Sequence, residues 1–295
     1  MKKIIKKIFR YFLNFIPDRI YIKLQYLKKT GKFLNLNNPI LFNEKIQWLK
    51  LYNQKPQYTK MVDKYEVQEY ITNIIGDEYL IPIYGVWDTF NEIPFKIIPD
   101  KFILKCTHDS GSFRICKDKH SFDMEAAKKH FNNALKRNYY FGNREWVYKN
   151  IKPRIIAQKL LIDETDEDLR DYKIFCFNGE PKLVQVDFDK FSNWKMNYYS
   201  PQWEYQHLSL VHPTSPETII PKPELLEQLL QLTKVLTIGI PHVRVDFFVV
   251  NKKIYFGEFT FYNYAGYEQF YPYEWNKIIG DWLILPENKT ISKNG

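Results

Sequence analysis

Residues 242–260, HVRVDFFVVNKKIYFGEFT, constrain the fold more than any other stretch of the chain. They read as two strands joined by a turn at Asn251-Lys252-Lys253. Alternation puts Val243, Val245 and Phe247 on one face of the first strand and Arg244, Asp246 and Phe248 on the other. The second strand offers Ile254, Phe256 and Glu258 on one face. An Arg-x-Asp inside so apolar a run needs a reason, because buried charge is costly unless it is paired or holds a metal. On one reading, Asp246 and Glu258 meet across the hairpin and hold a hard cation such as Mg²⁺, while Arg244 clamps a transferring phosphoryl group. On the other, Arg244 and Asp246 are a structural pair in a sheet. Spacing alone leaves both open.

The rest of the chain bounds the choices. Its 295 residues suffice for one large core or two domains, and 45% hydrophobic residues make it globular. A formal net charge of +9 favours anionic partners, among them nucleotides, acidic polysaccharide, nucleic acid and phospholipid. Cys106, Cys116 and Cys176 have no close paired spacing, which argues against a zinc site or a disulfide framework and fits a reducing cytoplasm. No apolar run reaches the roughly 18 residues of a membrane span. The opening MKKIIKKIFRYFLNFIP reads as a basic amphipathic helix, since Lys6, Lys7 and Arg10 interrupt what would otherwise resemble a signal peptide. It either packs on the protein's own body or makes peripheral contact with the acidic inner face of the plasma membrane.

Taken in order, Pro17 opens a helix running to Lys29, and Asn43 is placed to cap a helix that starts near Glu44 and carries Ile46, Leu49 and Leu51. By residue type, residues 1–60 carry no chemistry. A helix over 61–77 is bounded by Asp63 and Gly76, with Lys64 in its first turn, where a lysine ordinarily faces water. A strand at 101–106 leads into Thr107-His108-Asp109-Ser110-Gly111-Ser112 and returns through Cys116. Small side chains and backbone N–H groups there allow close approach by phosphate, and Lys105 adds charge beside them. A plain hairpin turn is the simpler account. Neither GxxxxGK[ST] nor GxGxxG occurs, which argues against a P-loop or dinucleotide fold. Asp123 caps a helix over 124–137, and residues 155–162 read as a buried strand. An acidic loop at 163–168 reads as a solvated turn. Asn178-Gly179 marks a hairpin between 172–178 and 182–188, with Lys173 inside it. The aromatic stretch 189–222 reads as loop, and Pro223 opens a helix with Leu225, Leu226, Leu229, Leu232 and Leu236 inward. A last helix begins near Tyr273. His120 and His130 are expected in solvent, and the other histidines are too scattered for a metal cluster.

This order of elements resembles the ATP-grasp superfamily, and most closely its TupA-like branch, associated with teichuronopeptide and surface-polysaccharide synthesis. The matching stretches are LNNPILFNEKIQW at 36–48, DYKIFCFNGEP at 171–181, and VRVDF at 243–247 with FGEFTF at 256–261. The resemblance implies an α+β ATP-grasp fold with a glycine-containing lid subdomain, a C-terminal antiparallel-sheet nucleotide-binding subdomain, and preceding N-terminal helices. The divisions it implies are 1–60, 61–100, 101–160 and 161–287. It implies ATP contacts from Lys64, Lys105, Lys173 and a closing loop of His108, Ser110, Gly111 and Ser112. Gln158, Lys159, Leu160 and Leu161 match the adenine-facing hinge, Gln158 replacing a frequent glutamate. Arg244 and Lys105 stand at the reacting phosphoryl group. Asp246 and Glu258 match the Mg²⁺ carboxylates, and Thr260 occupies the place of a frequent metal-binding asparagine. Asn263 lies three residues later, off the usual spacing.

The reaction this implies is ATP-dependent joining of a carboxylate to an amine through an acylphosphate, with no protein nucleophile. The branch further implies a small amine or amino acid as one partner and a carboxylate-bearing glycan or sugar precursor, such as a uronic acid, as the other. No specific nucleic acid is expected: the basic residues are dispersed and no nucleic-acid module is present. A glycosyltransferase is the competing enzyme reading, for which Asp187-Phe188-Asp189 supplies the spacing but no supporting sequel. A non-enzymatic glycan- or nucleic-acid-binding protein with stacking aromatics is the other. A kinase fold lacks its HRD and DFG motifs.

Overall fold

The computed structural model describes residues 15–162, 171–188 and 193–287. The N-terminal amphipathic segment to Asn14, the acidic loop at 163–168 and Asp189 lie outside the described residues. Two antiparallel sheets carry the fold. The smaller contains β1 (Ile83–Trp87), β2 (Phe102–Cys106), β3 (Phe113–Cys116) and β4 (Ile155–Lys159) in the order β1-β4-β2-β3. The larger contains β5 (Asp171–Phe177), β6 (Glu180–Phe188), β7 (Lys195–Tyr199), β8 (His242–Val250) and β9 (Lys253–Thr260) in the order β7-β6-β5-β8-β9. Each sheet has its own core. Phe102, Leu104 and Phe131 of the helix Met124–Ala134 fill the smaller one; Val243, Val245, Phe247 and the leucines of the helix Leu226–Leu236 belong to the larger.

The hairpins explain the topology. Asn178 and Gly179 both have positive φ (53° and 85°), the twist a two-residue hairpin needs. Asn251 and Lys252 (49° and 60°) do the same for β8–β9, so this turn has two residues and Lys253 already belongs to β9. The faces of β9 also differ from strict alternation. Asp246 opposes Glu258 but Phe247 opposes Phe256, so Gly257 is an extra residue, a β-bulge. Ile254 and Phe256 therefore enter the core, while Glu258 turns to the face of Arg244 and Asp246. Glycine is required there, because an added Cβ would lie 2.9 Å from the Asp246 carbonyl oxygen.

Several boundaries move for local reasons. The helix Phe42–Tyr52 is capped from within: Glu44 Oε2 accepts the N–H groups of Ile40 and Leu41 at 3.0 and 3.1 Å. Asn43 lies inside the helix and is buried. The helix Val67–Ile75 starts after an Asx turn in which Asp63 Oδ1 accepts from Tyr65 and Glu66 N–H. β4 stops at Lys159. The stretch expected as loop contributes β7, whose Met196 and Tyr198 are buried. His130 is partly buried rather than solvent-facing. Among the described residues, no helix is long and apolar enough to cross a membrane.

Candidate active site

A cleft of about 1090 Å³ lies between the sheets. Its wall on the smaller sheet is basic. Lys105 projects from β2 and donates to Gln158 Oε1 of β4 at 3.0 Å. Burial first, then the neighbouring Lys64 charge, lowers its pKa to about 8. Lys64 donates to the Asp109 carbonyl oxygen at 2.6 Å, which ties it to the β2–β3 loop instead of leaving it in solvent. Within that loop Ser112 Oγ donates to Asp109 Oδ2 at 2.5 Å and accepts from Arg137 at 3.1 Å. Ser110 and Gly111 form the exposed tip, Gly111 with φ 92° and open space around its Cα.

The opposite wall is the polar face of the larger sheet. Arg244 is 8% exposed and Asp246 4%. They form a two-pronged pair, Nε to Oδ1 and Nη2 to Oδ2, both at 2.7 Å. Burial disfavours both charges; Asp246 and Glu258 hold the guanidinium well above its usual pKa. For Asp246, burial pushes the carboxyl up while Arg244 and Lys173 pull it back. The bidentate geometry keeps the pair ionised. Arg244 also donates to Thr260 Oγ1 (3.1 Å) and Asn263 Oδ1 (2.5 Å). Next to it Lys173 is held by Asp171 and by Asp187, the latter at 2.9 Å. This face therefore sets two cations, Arg244 and Lys173, against four carboxylates, Asp171, Asp187, Asp246 and Glu258. The cleft is polarised: a cation-seeking floor faces a phosphate-seeking roof of Lys64 and Lys105. Among the described residues the Glu258 carboxylate makes no hydrogen bond, and no group of three or more His, Cys, Asp or Glu side chains forms a metal cluster. The oxygen-only pair still suits Mg²⁺, which commonly takes one or two protein carboxylates and fills its shell with water and phosphate: Glu258 is the open ligand, and Asp246 would share its oxygens with Arg244.

A third wall is the loop after β9, and what supports it from behind was invisible by residue type. Asn43, Gln47 and Lys50, at i, i+4 and i+7 of the helix Phe42–Tyr52, are all buried. Asn43 donates to the Glu268 carbonyl oxygen (2.8 Å), Gln47 to those of Ala265 and Gly266 (3.0 and 2.9 Å), and Lys50 to Ala265 (2.7 Å). They clamp the chain after β9, where Tyr264, Ala265 and Gly266 all have positive φ. Two non-glycine residues in that conformation store strain that these bonds offset. The helix Phe42–Tyr52 thus shapes the cleft indirectly, by holding the loop that lines it. The clamped loop delivers Asn263 and Glu268 to the cleft.

Of the residues singled out from sequence, Lys64, Lys105, Ser110, Gly111, Ser112, Lys173, Arg244, Asp246, Glu258 and Thr260 line this one cleft. Gln158 stands behind Lys105. His108 does not line it: its ring is buried, with Nε2 3.2 Å from the Ala134 carbonyl oxygen, anchoring the loop from beneath. Lys159 is exposed at the end of β4, and Leu160 and Leu161 follow the strand; none is among the cleft-lining residues. Asp187 lines the cleft and accepts from Lys173 and Gln185; the other acid of the Asp-x-Asp spacing, Asp189, lies outside the described residues.

Fold and cleft define an α+β protein of the ATP-grasp kind. Residues 44–284 match the family described as TupA-like ATPgrasp, and the chain belongs to that family. No curated protein matches it. Among solved structures it is similar to D-alanine–D-alanine ligase from Bacillus anthracis complexed with ATP, at 12% identity, TM-score 0.38, covering 68% of this chain and 53% of that one. It is also similar to the ATP-grasp ligase PsnB complexed with a precursor variant, Mg and ADP (11%, TM-score 0.43, 81% and 63%). A RimK domain ATP-grasp protein from Sphaerobacter thermophilus DSM 20745 gives 12%, TM-score 0.43, 79% and 70%. The chain spans less than two thirds of the length of the first two.

Proposed function

We propose that the protein is an ATP-dependent carboxylate–amine ligase that joins an amino acid or other small amine to a carboxylate-bearing sugar, such as a uronic acid, in cell-surface polysaccharide synthesis. One observation carries this reading: a basic loop-bearing wall and a carboxylate–arginine wall face each other across a single cleft. The triphosphate lies between them, with Lys64, Lys105 and the N–H groups around Gly111 on its oxygens and Gln158 behind. The substrate carboxylate attacks the γ-phosphorus, ADP leaves, and an acylphosphate forms. The amine then attacks the acyl carbon, loses a proton, and expels phosphate. Arg244 orients the transferring phosphoryl group and offsets charge that develops on it. Asp246 and Glu258 are the side chains to hold Mg²⁺, which supplies charge neutralisation at the phosphate oxygens. Thr260 and Asn263 fix the Arg244 fork; Lys173 keeps Asp171 and Asp187 from repelling the nucleotide. The loop at 108–112, closing over the phosphates, keeps water from the acylphosphate.

The test is a product screen with ATP, Mg²⁺, candidate uronates and amino acids, following phosphate and amide mass together. Phosphate release that needs both a carboxylate and an amine supports the ligase. Turnover of a UDP-sugar, or ATP turnover indifferent to amine, contradicts it.

A further inference from the structure

Beside the loop after β9, two buried acids meet one buried cation. Glu268 is 4% exposed and lines the cleft. Its Oε1 accepts from Asn263 Nδ2 at 3.3 Å, and its Oε2 is buried with no hydrogen-bond partner among the described residues. Glu145, also buried, lines the same cleft and takes only a long contact of 3.5 Å from Asn143. The Tyr267 hydroxyl is a second buried polar group there without a hydrogen-bond partner among the described residues. Lys50 lies within electrostatic reach of both acids, yet its three N–H bonds go to Gln47 Oε1, Asn143 O and Ala265 O. Among the described residues neither carboxylate is ion-paired. Two acids share one committed cation, so ionising both would leave one buried negative charge uncompensated, a costly state that burial resists.

We propose that Glu268, with Glu145 and the Tyr267 hydroxyl beside it, is the subsite that binds the ammonium group of the amine substrate. The inference rests on the ligase reading for its purpose, and on geometry for its place. Asn263 bridges Arg244 Nη1 and Glu268 Oε1, so the subsite sits one side chain from the phosphoryl-orienting arginine. An amine held there lies next to an acylphosphate formed at Arg244. A primary ammonium supplies the missing positive charge and three donors for the orphaned oxygens. A neutral or N-acylated amine supplies neither. Burial raises the pKa of Glu268 to about 7, and an arriving cation offsets that cost of ionisation.

Thermal melting of the full chain tests this without knowing the natural amine. The probes are each common amino acid and glucosamine, with their N-acetyl forms as uncharged controls, on wild type, Glu268→Gln and Glu145→Gln. The expected result is that at least one free amine raises the wild-type melting temperature, its N-acetyl form does not, and Glu268→Gln loses the shift. Equal shifts from free and acetylated forms, an undiminished shift in Glu268→Gln, or no shift from any amine overturns the proposal. The comparison of free with acetylated amine on wild type decides the matter even if a variant does not fold. A separate arm with ATP and Mg²⁺ on wild type tests the ligase reading: no nucleotide shift there sinks that reading while the amine arm still decides the subsite.

Discussion

Asp246 and Glu258 face each other in register, but they predict different mutants. Removing the Asp246 carboxylate in Asp246→Ala strands the buried Arg244, which among the described residues keeps only Thr260 and Asn263 as hydrogen-bond partners. Breaking a buried, bidentate pair from one side costs about 3–5 kcal/mol, a large share of the roughly 5–15 kcal/mol that holds a domain together. Glu258 is half-buried, faces the cleft and its side chain makes no hydrogen bond among the described residues, so Glu258→Ala breaks no hydrogen-bonded pair, loses only charge contacts to Arg244 and Lys105, and costs within about 1 kcal/mol. Both variants lose ligase turnover. Urea denaturation followed by far-UV circular dichroism separates them through the midpoint at unchanged slope. Equal stabilities for the two variants, or a Glu258→Ala protein as damaged as Asp246→Ala, would refute the assignment of the first as an arginine partner and the second as an open ligand.

Three further outcomes follow from the same geometry. Burial first raises Glu268 to about 7 against an ordinary 4.5, with its hydrogen bonds and Lys50 opposing. Its contribution to stability is complete below about 4.5 and lost as pH rises through about 7, so Glu268→Gln is more stable than wild type at pH 8, by up to about 3 kcal/mol, and equal near pH 4; a variant less stable at pH 8 contradicts this. Gly257→Ala drives a Cβ to 2.9 Å from the Asp246 carbonyl oxygen. It disturbs the bulge at about 1–3 kcal/mol and weakens Mg²⁺-dependent nucleotide binding, read by calorimetry, because Glu258 no longer faces Asp246. Lys105, lowered to about 8 chiefly by burial, loses its proton above that pH. ATP affinity therefore falls as pH passes about 8, and Lys105→Arg flattens the profile; a wild-type profile flat to pH 10 removes Lys105 from the phosphates.

The central hairpin was legible because period-two alternation in residues 242–260 sets Arg244 and Asp246 apart from Val243, Val245 and Phe247, and burial enforces that register. Glu258 was placed opposite Asp246 correctly, yet strict alternation put it on the face of Ile254 and Phe256. Only the bulge at Gly257 resolves the conflict, and a lone glycine in a strand announces a bulge without fixing its direction. The leucine helix and the Asn178-Gly179 hairpin follow from local chemistry. The Asn43, Gln47 and Lys50 stripe and Glu268 did not, because their meaning lies in contacts more than 200 positions apart in the chain. Polar residues at helical spacing ordinarily mark a solvated face, and here tertiary packing buries them against a strained loop. β7 was hidden in an aromatic, proline-rich stretch whose strand needed β6 as a partner.

A crystal structure with Mg²⁺ and a non-hydrolysable ATP analogue is the most direct measurement. The expected density is a triphosphate running from Lys64 and Lys105 under Ser110, Gly111 and Ser112, to a metal ion against Asp246 and Glu258. Nucleotide density outside this cleft, or phosphates remote from Arg244, would contradict it.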